Sequence, residues 1–284
     1  MKTLLIIILL FFAGRSLSWS QGTNFKYIPQ KIYVGFTLQP AQTTILNKGV
    51  YNSSNLKNSP DITLNGSIEI GFSLSKHFSV ITGVGNRNYS TALVMAEYNN
   101  SYNSIDSEND TFEMRIVGSG IVENQKINYL FVPAKINFQF PLAKKISTFI
   151  NSGIMISLPI SMNYSGSGIF DYNGYYPYYN ITLYDLPQYG FPENVNMRKT
   201  DKLDITKYNL SFLVSTGLSY RLTSTIGLSF ALYYDQSLSS ISNYKPDNFQ
   251  LTRQSDQYNT LMSSTSNVSL KAFGSSLSVN FYLK

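Results

Sequence analysis

Eight stretches of this 284-residue chain alternate, residue by residue, between large apolar side chains and small or polar ones. A period of two is the signature of β-strands with two chemically different faces. The first stretch sets Ile32, Val34, Phe36 and Leu38 against Tyr33, Gly35, Thr37 and Gln39. The second runs from Ile62 to Leu74, the third from Phe78 to Gly85 and the fourth from Tyr129 to Phe140. The fifth, Thr148 to Leu158, the sixth, Leu210 to Tyr220, and the seventh, Ile226 to Asp235, repeat the theme. The eighth sets Phe273, Leu277, Val279, Phe281 and Leu283 against Gly274, Ser276, Ser278, Asn280 and Tyr282.

The connections alternate too. Three are a few residues long, around Ser75–His77, Pro141–Lys145 and Arg221–Ser224. The other four, roughly 40–61, 86–126, 160–207 and 236–266, are long. An even number of antiparallel strands with short turns at one end and long loops at the other describes a membrane β-barrel, and both termini then lie at the short-turn, periplasmic end.

Alternation alone leaves the direction of the apolar face open. Volume decides it, because an eight-stranded barrel is only just wide enough inside for side chains to fill. The Gly-, Ser-, Asn- and Thr-rich face suits that narrow bore, and the Ile, Leu, Val and Phe face suits lipid. Tyr220 and Tyr234 fall near opposite ends of the apolar band, where aromatic girdles are expected. Composition agrees: only 13% of residues are charged while 14% are aromatic, an unusual balance for a soluble enzyme.

The start of the chain gives the route. Met1-Lys2-Thr3 precedes the apolar run Leu4–Ala13, and Ser18-Trp19-Ser20 offers a cleavage site before Gln21, as in a secretory signal peptide. The expected division is a signal peptide over 1–20 and one barrel domain over 21–284. Loss of Lys2 and Arg15 leaves 20 basic against 16 acidic residues, a net charge of +4. Without a basic stripe this gives no reason to invoke nucleic acid. Cysteine is absent, which excludes disulfides, thiol nucleophiles and Cys-ligated metals.

The segment Tyr129-Leu130-Phe131-Val132-Pro133 resembles the Tyr-Leu-x-x-Pro strand of the PorT-like outer-membrane β-barrel proteins of Bacteroidota. The pair Leu210–Tyr220 and Ile226–Leu238 is similar to that family's Gly-x-x-Tyr hairpin. The terminal Gly274-x-x-Leu277-x-Val279-x-Phe281 resembles the assembly signal of outer-membrane barrels, although Ala272 and the final Lys284 depart from it. The resemblance implies outer-membrane lipids and the outer-membrane assembly machinery as partners, and it admits a role in type IX secretion.

Candidate sites are few. The charged positions of the predicted bore are Glu69, Lys135 and Asp235, with Arg87 toward the long-loop end. Unpaired charge is costly there, so these are expected to pair, Glu69 with Lys135 first, as a polar network that closes the bore rather than a pore or proton path. His77 is the only histidine and sits in a short turn. Membrane-embedded hydrolases place a histidine base at the other end, so a solvated turn residue and a non-enzymatic protein are expected. Asp106-Ser107-Glu108-Asn109-Asp110 suggests a calcium loop, but Thr111 and Val117 stand where an EF-hand needs Gly and Glu; it reads as a solvated acidic loop, and no metal or cofactor is expected.

The third long connection carries Tyr172, Tyr175, Tyr176, Tyr178, Tyr179 and Tyr184 among Gly, Ser, Asn and Pro. Tyr in such company forms adaptable contact surfaces, which makes this a candidate loop for an extracellular protein or glycan partner; packing of the loop on itself is the alternative. Met114–Val122 alternates enough to be a strand extension above the membrane. The whole reads as an all-β, eight-stranded antiparallel up-and-down transmembrane barrel with long extracellular loops and short periplasmic turns. Its role is surface interaction, envelope structure or secretion, with a narrow porin-like channel, a membrane-embedded enzyme and a soluble ligand-binding barrel as alternatives.

Overall fold

The computed structural model describes residues 32–50, 56–245 and 250–283. The expected signal peptide over 1–20 lies outside these. The alternating stretches become β1 (Ile32–Val50), β2 (Leu56–Ser73), β3 (Phe78–Ile105), β4 (Thr111–Pro141), β5 (Ile146–Tyr176), β8 (Asn209–Arg221), β9 (Ile226–Ser237) and β10 (Thr265–Leu283), with the short β6 (Ile181–Leu183) and β7 (Val195–Lys202) between β5 and β8. Every neighbouring pair is antiparallel, in the order β4-β3-β2-β1-β10-β9-β8-β5, and β4 pairs with β5 to close the ring. Closure leaves no open strand edge in the lower, eight-stranded ring among the described residues. Ile32 pairs with both Leu283 and Phe72, so the two ends of the described chain meet at the short-turn end.

The lower barrel wears its apolar residues outside. Phe36, Leu38, Ile68, Ile70, Leu130, Val132, Ile136, Ile154, Ile156, Leu158, Leu218, Phe230, Leu277 and Phe281 are exposed, many by about half of their surface. Thr37, Gln39, Ser67, Asn137, Asn151 and Asn280 are buried inside the same strands. Between Phe273 and Leu283 the strand rises about 33 Å, which at a tilt of about 40° is a band about 25 Å tall. That matches the apolar belt of a barrel in hydrocarbon, and only a closed barrel satisfies its backbone polar groups there.

Above this band the chemistry reverses. On β4, Phe112, Met114, Ile116, Ile121 and Ile127 are buried while Asn124 and Lys126 face out. The crossover lies between Lys126 and Leu130, and on β5 it lies just beyond the exposed Ile160. The strands do not stop there. The long connections 86–126 and 160–207 are largely a projecting β-sheet: β3 and β4 continue to a turn at 106–110, carrying the strand extension expected at Met114–Val122, and β5 runs on to Tyr176. From Ile160 to Tyr176, β5 climbs about 50 Å along its length, or about 40 Å above the band at the same tilt. Likewise 40–61 is mostly strand. The described residues of the β9–β10 connection are largely irregular, with a 3-10 turn at Leu261–Ser264.

Bulges explain why these extensions do not continue the lower alternation. The β4–β5 register shifts between Ser119 and Val122 and again between Asn128 and Tyr129. One extra residue on one strand moves every side chain beyond it to the opposite face. At the upper shift Gly120 adopts φ +58° with open space around it, a backbone conformation that suits glycine.

Candidate functional site

Three features stand where function would be expected: the bore, the projecting sheet and the connection that roofs the barrel. The bore is crossed by charge twice. In its lower half Lys135 Nζ donates to Glu69 Oε2 at 2.5 Å, and Ser67 Oγ donates to Glu69 Oε1. Asn137 donates to Asn151, which donates to Ser215. Small residues leave room for these chains: Gly71 lies against the Tyr33 ring, and Gly35 against Asn280.

Higher in the bore, Arg87 Nη2 lies 3.3 Å from Asp235 Oδ2, and Arg87 Nη1 donates to the Tyr233 hydroxyl at 2.6 Å. Tyr89 donates to Asp235 Oδ1 at 2.6 Å. The guanidinium is sandwiched by Phe131 at 5.3 Å and Tyr233 at 4.8 Å, a cation–π arrangement that strengthens on desolvation. Asp235 is fully buried, and a buried carboxylate without its partner would be heavily penalised. The space left between the two charge levels is about 70 Å³, room for about two waters.

A roof lies above. The β9–β10 connection folds across the upper opening, burying its Leu251, Tyr258, Leu261 and Met262 in one cluster with Tyr98 and Phe170 among others. Its anchor is Glu123 on β4, which is fully buried. The Glu123 carboxylate accepts from Thr260 Oγ1 at 2.6 Å, Leu261 N at 2.8 Å and Gln125 Nε2 at 2.8 Å. Burial pushes its carboxyl above the usual range, against the pull of these three donors. Tyr98 accepts from Leu251 N, and Tyr172 Oη lies 2.6 Å from Thr252 Oγ1. Sequence reasoning overlooked Glu123; the one signal was an isolated acid flanked by inward Ile121 and Gln125.

The tyrosine cluster divides. Tyr172 and Tyr176 do not belong to an exposed surface: both are buried, and Tyr176 stacks on Phe112 at 5.3 Å. They sit on β5 beyond the bulge, where alternation turns them inward. Tyr175 is half-buried beneath Arg115 at 4.2 Å. Tyr178, Tyr179 and Tyr184 are exposed at the tip, joined by Tyr189, with Tyr178 exposed by 89%. The acidic stretch 106–110 is the tight turn below them. Asp106 Oδ1 accepts from Glu108 N and Asp110 N, while Tyr176 and Tyr179 donate to Asp106 Oδ2 and Asp110 Oδ2. These carboxylates are spent on the turn and on tyrosine hydroxyls. His77 lies exposed in its short turn, with Nδ1 3.0 Å from the Gln139 carbonyl oxygen.

No protein-family model and no curated protein matches this sequence. Among solved structures, the chain is similar to the attachment invasion locus protein Ail of Yersinia pestis in complex with the heparin analogue sucrose octasulfate, at 11% identity over 88% of this chain and 99% of that one, TM-score 0.30. It is similar to Neisserial surface protein A at 11% identity, over 89% and 97% of the two chains, TM-score 0.36. It is also similar to the outer-membrane protease OmpT of Escherichia coli at 8% identity, over 93% and 99%, TM-score 0.35. These are outer-membrane β-barrels.

Proposed function

We propose that this protein is an integral outer-membrane barrel that acts as a non-conducting, non-enzymatic mount for an extracellular interaction surface. One observation carries the reading: β3, β4 and β5 run far past the apolar band and end in the exposed Tyr178, Tyr179 and Tyr184. A strand needs only about 9–11 residues to cross a membrane; β4 and β5 have 31 each. The extra length holds rigid aromatic contact area clear of the membrane. The tip side chains fit a protein or glycan partner.

The twice-crossed, roofed bore supports a closed barrel over a channel. The position of His77 at the short-turn end supports a role without hydrolysis. The short turns belong in the periplasm on this reading. Membership of the PorT-like barrels, drawn from Tyr129–Pro133 and the β8–β9 hairpin, would add a secretion-associated partner to the same surface.

The test is to screen protein in lipid nanodiscs against protein and glycan arrays beside a Tyr178→Ser/Tyr179→Ser/Tyr184→Ser variant. The reading expects array signals that the variant loses while its barrel still migrates as folded on unheated gels. Signals equal in both proteins, or stable open currents in planar bilayers, would contradict it.

A further inference from the structure

The tip is not the only place where the outer half could hold a ligand. A cleft of about 710 Å³ opens between β7 and the β9–β10 connection, lined by Lys199, Lys202, Lys245 and Arg253 against the single carboxylate of Asp201. Its size falls within the usual range for small-ligand sites. Asp201 is engaged already, 3.6 Å from Lys199 Nζ and accepting from the Lys202 backbone N–H at 2.8 Å. Among the described residues, Lys202, Lys245 and Arg253 form no ion pair. Arg253 is held over the Tyr102 ring at 5.1 Å.

The rest of the wall is built for a polyol. The half-buried Tyr244 contributes an aromatic face, with Tyr164 and Tyr258 buried behind it, and Gln250, Asn259 and Ser263 contribute hydrogen-bonding groups. Tyr258 is 98% buried on its 2% exposure, and its hydroxyl has no hydrogen-bond partner. A buried hydroxyl without a partner calls for one, and the ring that carries it lines the cleft. Gly166 lets that ring sit where it does: a Cβ there would collide with the Tyr258 ring and hydroxyl.

The level of the cleft narrows the chemistry. Lys199 and Lys202 pair with Gly166 and Asn163 of β5. Asn163 stands about 10 Å along the strand from Ile160, the last exposed apolar residue of the band on β5. Cations, an aromatic face and amides together match a sugar carrying phosphate or sulfate groups.

We propose that this cleft binds a phosphorylated or sulfated saccharide, either the headgroup of a surrounding lipid or a free polyanionic glycan. The site is separate from the tyrosine tip; only the lipid source depends on the barrel standing in an outer membrane.

The experiment titrates the folded full-length mature protein with dextran sulfate, with purified lipopolysaccharide and with neutral dextran. It compares wild type with Lys202→Gln/Lys245→Gln/Arg253→Gln and with a control of equal charge loss on the short turns, Lys76→Gln/Lys144→Gln/Lys145→Gln. Saturable binding of dextran sulfate, of lipopolysaccharide, or of both is expected, identifying the free glycan, the headgroup or the shared chemistry. The cleft variant should lose on the order of tenfold or more in affinity, the size of losing charge-assisted hydrogen bonds, and the turn variant should match wild type. Tyr258→Phe should weaken binding without lowering thermal stability. No binding of either anion, equal loss in both triple variants, or neutral dextran binding as well as the sulfated form would overturn the proposal. The tip variant should bind dextran sulfate normally, so failure here and failure of the interaction-surface reading are told apart.

Discussion

Glu123 shows how one buried side chain joins two distant parts of the chain. Its carboxylate receives three donors, two of them from the roof. Glu123→Ala leaves Leu261 N–H and the Gln125 amide short of an acceptor, a loss of about 2–4 kcal/mol. We expect limited proteolysis to cut the 250–264 region in this variant while the barrel stays folded on unheated gels; an uncut roof would show the anchor to be dispensable. The tyrosines around it give a pH signature. Burial raises the Tyr258 and Tyr164 hydroxyls, with Glu123 adding to both, and pushes Tyr172 up to about 12. A phenol whose folded value is raised contributes stability that is complete below its unfolded value near 10 and is lost as pH rises through the folded value. Ultraviolet titration should therefore show these phenols still neutral above pH ~10, ionising together with loss of the upper structure. Ionisation of all tyrosines near pH ~10 with the fold intact would contradict the packing described.

At the scale of the element, the strands show what was legible and what was not. The lower eight segments read directly, because a period-two pattern with one face in lipid is the same rule repeated along each strand. The extensions did not. In water the apolar residues move inside, so Phe112, Met114 and Ile116 are buried where Leu130 and Val132 are exposed, and bulges shift which parity faces in. Of these stretches only Met114–Val122 reads as a strand extension from its alternation; the rest read as loops when one face is held apolar throughout. Among the bore residues, charge in a narrow space was legible from parity alone, whereas the partner of Arg87 depends on register across the barrel. The basic cleft was not visible at all, since Lys199 and Arg253 meet only through the fold. The upper bulge is testable: Gly120→Val forces a β-branched residue to φ +58° and should cost about 1–2 kcal/mol. Denaturant unfolding would measure it, and an unchanged midpoint would mean the bulge relaxes freely.

For the whole molecule, the two charge levels and the roof act in series, so removing one leaves the other. Deleting 250–263 should expose the upper core without producing channels, because Arg87, Asp235, Tyr89 and Tyr233 still cross the bore. Planar-bilayer recordings check this, and regular current steps after roof deletion alone would assign the seal to the roof. The outward face changes from hydrocarbon-facing to water-facing between Leu130 and Lys126 on β4. The chain has no cysteine, so single nitroxide labels can be placed cleanly at Val132, Leu277, Asn124 and Lys126 in nanodisc-held protein. Oxygen, which dissolves in lipid, should dominate the relaxation of labels at Val132 and Leu277, and a water-soluble nickel complex should dominate at Asn124 and Lys126. Nickel dominance at all four positions would place the apolar band in water and rule out a membrane-spanning barrel.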